Sequence, residues 1–478
     1  MNALEKLLSR ITQRVNINLR ELRYDASPYL EGLIPDTQLV KFHGFYGITP
    51  HHPLDYHFKN CSLAGSYFLG KCRAVNSILY KSDIRGDELK KKGDLFWFKQ
   101  FEIPLTRDES IQIENSFLIK TLVHSHSHDP ETLERFTIGN TVSAHYANIH
   151  GSPTDGSFLG PFATIDRTTM NDCVVGAFAY IKTGEISHLK IDPGTVWIRN
   201  PGRFNFLYRY PPEKLHSYIH FNPGDRPRGA FMDFVEACKK DFQDLFNRVD
   251  IIPSVPIPPN ASLDRFAVIK PRTHIGENVL VAQRAYLQNA WLGLGTNVQE
   301  NGCVIDSHLE GYNVVAHGAK VIETDLGRNA FVGYNSFLRG RRGSRLTIHG
   351  ENIILPHTII DSRGPISIPP GLLVWGLITS QADLETNSIA LDALSKIRSG
   401  FSKGHMTFEG DGAAFAGELR NRILHTLAVN GAFYDGSNDK GHAQKNQKIS
   451  FNTIQPYTGG NRAGIYPTII IRQAEVRR

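Results

Sequence analysis

Aliphatic residues return every six positions through two long stretches of this chain, a period that belongs to neither an α-helix nor a flat strand. The first stretch runs through Leu63, Leu69-Gly70, Val75, Ile113, Ile119, Ile138-Gly139, Leu159-Gly160, Ile165 and Val175-Gly176. The second is cleaner: Leu263, Ile269, Ile275-Gly276, Val281, Leu287, Val298, Val304, Val315, Val321, Val332-Gly333 and Leu338. A six-residue rhythm marks a solenoid in which each short strand is one side of a coil. One coil cannot bury its inner face alone, so stacked coils share a continuous aliphatic core. The glycine after the aliphatic position is expected to permit a sharp corner. Both stretches close alike, at Asp192-Pro193-Gly194 with Val196-Trp197 and at Pro369-Pro370-Gly371 with Val374-Trp375. The pattern reads as a tandem duplication of one solenoid.

Around the two solenoids the chain divides into five segments. Residues 1–59 hold a helix over 1–18, with Leu4, Leu7, Leu8 and Ile11 on one face, and an irregular stretch containing His51, His52 and His57. Residues 60–202 are the first solenoid, interrupted by a charged insertion at 87–110. Residues 203–254 are a helical connector, clearest at 228–249, where Phe231, Phe234, Val235, Cys238, Phe242 and Phe246 form an apolar stripe. Residues 255–380 are the second solenoid. Residues 381–478 offer helices near 382–397 and 412–429 and a polar tail expected to be loose after Gly431. The net charge of +6 over 478 residues forms no long basic block, so no nucleic-acid footprint is expected. Five scattered cysteines without CxxC spacing suggest a reducing compartment and a cytoplasmic protein. No apolar run of about 18 residues predicts a membrane span.

Histidines on such a coil project from fixed places on a rigid surface. His145-Tyr146-Ala147-Asn148-Ile149-His150-Gly151 resembles the His-x-Ala-x-Leu-His-Gly of the γ-class carbonic anhydrases, within the hexapeptide-repeat proteins. Arg85-Gly86-Asp87 resembles that family's Arg-Gly-Asp, and Asp155-Gly156-Ser157-Phe158-Leu159-Gly160 its following coil. The resemblance implies a mainly β fold: two tandem left-handed parallel β-helices with a helical connector and C-terminal helices. It also implies a homotrimer with zinc, or a similar divalent metal, shared between subunits. Ligands would be His145, His150 and one of His124, His126 and His128; the six-residue register through Ile113, Ile119 and Ser125 selects His126. Arg85 and Asp87 would form an ion pair between subunits beside the metal. Three neutral imidazoles leave zinc a place for water, whose pKa falls to about 7 and supplies hydroxide to attack carbon dioxide.

The chain also departs from that family. Its Asn-x-Gln, which lies near the metal-bound water, should fall at Leu118 and Lys120. The second solenoid keeps such a string at Asn297 and Gln299, yet has Asp306, His317 and Ile322 at the ligand positions, which makes it a degenerate copy. A rival reading is an acyltransferase. Its small-molecule acceptor would be deprotonated by a histidine base, with His317 in VVAHGAKV a candidate, and coenzyme A or a carrier would bring the acyl group. A third reading is a catalytically silent trimeric scaffold.

Overall fold

A computed structural model describes residues 2–49, 54–87, 89–98, 100–125, 136–243, 245 and 255–473. His51, His52, Phe246, His126 and His128 lie outside the described residues. The chain is mainly β, built of parallel sheets with few helices. It divides into two compact units: Met1–Pro193 with Pro212–Ala237 and Ile449–Arg478, and Gly194–Pro211 with Cys238–Lys448.

In the first unit, strands from successive coils pair in parallel on three faces. One face stacks Asp83–Gly86, Leu122–His124, Asn148–His150, Thr164–Asp166 and Tyr180–Lys182. Its middle residues, Ile84, Val123, Ile149, Ile165 and Ile181, are all buried. A second face stacks Ile111–Glu114, Phe136–Gly139, Thr154–Asp155, Thr168–Asn171 and Gly184–Ser187. The third stacks Ile78–Tyr80, Phe117–Ile119, Val142–Ser143, Phe158–Leu159, Val174–Val175 and Lys190–Ile191. Each coil takes sixteen residues where Asn148 pairs with Thr164 and Thr164 with Tyr180. Two sides of each coil are therefore a residue shorter than a strict six, and the strict register drifts.

Buried hydroxyls turn the corners. Ser116 N donates to Ser77 Oγ at 3.2 Å, Thr141 N to Ser116 Oγ at 3.1 Å, and Thr168 N to Ser152 Oγ at 3.1 Å. Each satisfies a corner amide that no strand partner reaches. Asparagine commonly takes the left-handed corner positions, as at Asn76, Asn115 and Asn140, because its short polar side chain tolerates positive φ. Apart from Gly70, whose φ is +84°, the repeat glycines do something else. Gly160 has no positive φ; a Cβ there would lie 2.6 Å from Ala177 N on the next coil. Close stacking of coils, rather than corner geometry, demands glycine.

The N-terminal helix Ala3–Leu19 is capped by the reciprocal bonds of Asn2 and Glu5 and buries Leu4, Leu7 and Ile11, as the sequence predicts. The C-terminal tail differs from expectation. Ser450–Ile454 pairs antiparallel with Gly44–Ile48, and Tyr466–Arg472 pairs with Asp55–Cys61, the strand that carries His57. The stretch 24–58, expected to be irregular, thus contributes two strands whose edges the tail covers.

The second unit has the same construction. Val281, Val298, Val315, Val332, Ile354 and Val374 line one inner face; Leu287, Val304, Val321, Leu338 and Ile360 line the next; Leu292, Leu309, Leu326, Ile348 and Ile368 line the third. The helix expected over 382–397 is broken. Gln381–Thr386 ends at Asn387, Ser388–Ala390 pairs antiparallel with Leu372–Val374 and closes that sheet, and Leu391–Leu394 follows. The helix Gly412–Val429 forms as expected, its first turn capped by Asp411. It packs Phe415 against Phe204 and Phe206 of the antiparallel pair Thr195–Asn200 and Phe204–Arg209. Among the described residues no helix is long and apolar enough to cross a membrane.

Replacing Gly160 by Ala should destabilise the first unit by about 1–3 kcal/mol, because the new methyl meets backbone that cannot turn aside. Chemical denaturation reads this directly. An unchanged midpoint would show that the coils can spread apart.

Candidate functional site

Coil stacking builds columns of imidazole and carboxylate in each unit. In the first unit the register places Arg85, His124, His150 and Asp166 in one column across four adjacent strands. All four are buried. Their side chains alternate with the inward aliphatics, so they project from the outer surface of the coil. The rings of His124 and His150 meet edge to face at 5.2 Å, and each offers a ring nitrogen within 4.8 Å of the other's. His150 Nδ1 lies 3.0 Å from Asp166 Oδ1, and the Tyr180 hydroxyl donates to Asp166 Oδ2. Asp166 therefore holds the His150 ring through Nδ1 and leaves Nε2 as its reactive atom.

This column corrects the sequence reading at several points. The histidine in register with His150 is His124, and His126 lies outside the described residues. The strict six-residue count passes over the shorter sides of the coil: the inward residues run Ile113, Leu118, Val123, five apart each time. Leu118 is therefore core, fully buried between Leu79 and Ser143, and is not a neighbour of any bound water. Lys120 sits on a left-handed corner and donates to the Tyr146 hydroxyl at 2.9 Å. His145 occupies the corner before Asn148–His150, where its carbonyl accepts from Phe162 N at 2.9 Å, and is not part of the column. Arg85 and Asp87 pair with one another inside the chain, Nε to Oδ1 at 3.1 Å and Nη2 to Oδ2 at 2.6 Å.

In the second unit His317 stands on the corner equivalent to that of His145: Val314-Val315-Ala316-His317 precedes Lys320–Ile322 as Val142-Ser143-Ala144-His145 precedes Asn148–His150. Corner residues stack as strands do. Gly318 N donates to Glu300 O at 2.8 Å and Asn335 N to His317 O at 2.9 Å, so Glu300, His317 and Tyr334 form a column. Glu300 Oε2 lies 2.8 Å from His317 Nδ1, with both side chains nearly excluded from solvent. The Tyr334 ring stands 5.2 Å from the imidazole on its other side, and the Tyr334 hydroxyl accepts a bond from Arg422 Nη2 at 2.8 Å. Glu300 and Tyr334 escaped the sequence reading. Their signal is the coil length, since each lies seventeen residues from His317 and seventeen separate Cys303 from its strand partner Lys320.

The geometry suits proton transfer. The Glu300 carboxylate, 2.8 Å from Nδ1, stabilises through its charge the imidazolium formed when Nε2 takes a proton. Three residues beyond His317, Lys320 is buried, and burial holds its amine below the ordinary value of 10.5. Its neighbour across the ladder, Cys303, is pushed up to about 12 by the same burial. The unfolded chain then binds more protons than the folded one, so Lys320 makes stability rise with pH in the window below 10.5. Lys320→Met should flatten that rise and stabilise the protein at neutral pH. An equal slope in both proteins by thermal denaturation would contradict the assignment.

Comparison with known proteins extends this geometry. A family model for the hexapeptide repeat including loop matches residues 101–223. No protein of curated function matches the sequence. A crystal structure from Desulfovibrio desulfuricans G20, titled a putative acetyltransferase and solved at 2.28 Å, is 48% identical. The match covers 99% of this chain and 100% of that one, with a TM-score of 0.93. Taken with the repeat itself, an identity of that size over the whole length shows that the chain belongs to the hexapeptide-repeat family.

Proposed function

We propose that the protein is an acyltransferase. It would pass an acyl group from a thioester donor, coenzyme A or a carrier-bound pantetheine, to the hydroxyl or amine of a small molecule. The observation that carries this reading is the full-length similarity to a protein titled a putative acetyltransferase. The residue assignment rests on the His317–Glu300 pair. His317 Nε2 takes the acceptor's proton as the acceptor attacks the thioester carbonyl. The tetrahedral intermediate then collapses, the carbon–sulfur bond breaks, and the departing thiolate receives the proton from the imidazolium. Glu300 orients the ring throughout and offsets its transient charge.

Thiol release from acetyl-coenzyme A, measured against a panel of amine and hydroxyl acceptors, tests the reading. His317→Ala should lower kcat by roughly 10²–10⁴. Glu300→Gln should lower kcat with little change in KM, since Glu300 acts through the imidazole. Wild-type turnover in His317→Ala would remove that residue from the chemistry.

A second reading has one specific observation in its favour. His124 and His150 present two imidazoles to one place, and Asp166 binds the outer nitrogen of His150 as carboxylates behind metal-bound histidines do. These residues fit a zinc-like ion, with His124 taking the place expected of His126. A bound zinc would supply hydroxide at neutral pH, as in a γ-carbonic-anhydrase-like protein. Metal analysis of the purified chain separates the readings. Stoichiometric zinc that is lost in His150→Ala, with the fold retained, supports the second; metal-free wild type removes it. Both readings are compatible with two tandem left-handed β-helices and with a cytoplasmic homotrimer, and light scattering would test the trimer.

A further inference from the structure

Coils of the second unit span seventeen residues where Cys303 pairs with Lys320 and Lys320 with Phe337. The next takes twenty-two, since Phe337 pairs with Ile359. The extra residues form a tight turn after the strand Phe337–Arg339, bridged from Arg341 to Ser344 and bent at Gly343, whose φ is +82°. Arg339, Arg341, Arg342 and Arg345 all lie on this turn or at its feet.

Carboxylates hold three of the four. Asp361 accepts from Arg339 at 2.9 and 2.6 Å and from Arg341 at 2.7 Å. Burial alone would raise the Asp361 carboxyl, but the two guanidiniums outweigh it and hold it below the usual carboxylate range. Arg345 forks onto Asp325 at 2.8 and 2.7 Å and reaches Glu323 at 2.9 Å. Arg342 is exposed at the tip and makes no ion pair among the described residues. A solvated loop needs no such bracing. Each guanidinium carries five donors in a fixed fork, so braced arginines keep donors to spare without the entropy cost of ordering them. That fork matches the oxygens of a phosphate group. The turn also lies near the proposed base. Tyr334 stacks directly on the His317 corner, and Arg339 follows it by five residues, a reach of at most about 18 Å.

We propose that the arginine turn at 339–345 is a phosphate-binding subsite for the acyl donor. It would grip the phosphates of a nucleotide-bearing thioester such as acyl-coenzyme A, while the flexible pantetheine arm reaches the His317 corner. The inference rests on the acyl-transfer reading, and binding measured without turnover keeps the two separable.

Calorimetric titration of the full chain with coenzyme A, 3′-dephospho-coenzyme A, pantetheine and inorganic phosphate provides the test. Coenzyme A should bind more tightly than the dephospho form, and both more tightly than pantetheine or phosphate. Arg342→Ala should weaken coenzyme A about ten-fold, as expected for one charge-assisted contact. Arg342→Glu should weaken it further and Arg342→Lys should restore most of it, with pantetheine unaffected throughout. Wild-type affinity for coenzyme A in Arg342→Glu would overturn the subsite, and so would binding of coenzyme A no tighter than phosphate. If the arginine pattern holds while His317→Ala still turns over, the subsite stands and the role of His317 falls.

Discussion

Parallel pairing between one coil and the next determines which side chains can meet in this protein. A coil buries its inner aliphatics only against the coils before and after it, so the register of the stack is set by the core. Once Ile149 lies over Val123 and under Ile165, the outward residues beside them have no freedom of partner. His150 must stand between His124 and Asp166. The same rule applies at the corners, where amide-to-carbonyl bonds align Glu300, His317 and Tyr334. Both imidazole–carboxylate pairs are thus products of stacking, and neither needs a loop to be held in place. A site built this way is rigid before any ligand arrives.

The six-residue rhythm made the stacked parallel architecture legible, since only residues facing a shared core need recur at that spacing. The N-terminal helix and the helix Gly412–Val429 were legible for the same reason, each burying one apolar side. The site was less so. A strict count of six overshoots a coil of sixteen residues, so it counts Ser125 as inward where Val123 is and points to His126 rather than His124. The same slip put Leu118 beside a metal when it lies in the core. The break at Asn387 was hidden because helical propensity on both sides is high, and only pairing with Leu372–Val374 favours the extended form between them. The strands of the tail were hidden because their partners lie about four hundred residues away in sequence.

The two units share one construction and carry different side chains. Asn148 and His150 of the first unit correspond to Lys320 and Ile322 of the second, which removes one imidazole column there. The corner histidine remains in both, as His145 and His317, and in the second the Glu300 carboxylate stands beside it on the coil below. A general base gains from a carboxylate that stabilises its protonated form, and the stack places imidazole and carboxylate one coil apart. The inserted arginine turn on the following coil adds a cationic element to the same unit.

The tautomer of His317 is therefore the quantity on which the account turns. Nitrogen-15 NMR of the imidazoles in the intact protein, with His317→Gln to assign the signal, would measure it. The account predicts a neutral ring protonated at Nδ1, toward Glu300, near neutral pH. A ring protonated at Nε2 instead, unchanged by Glu300→Gln, would contradict it.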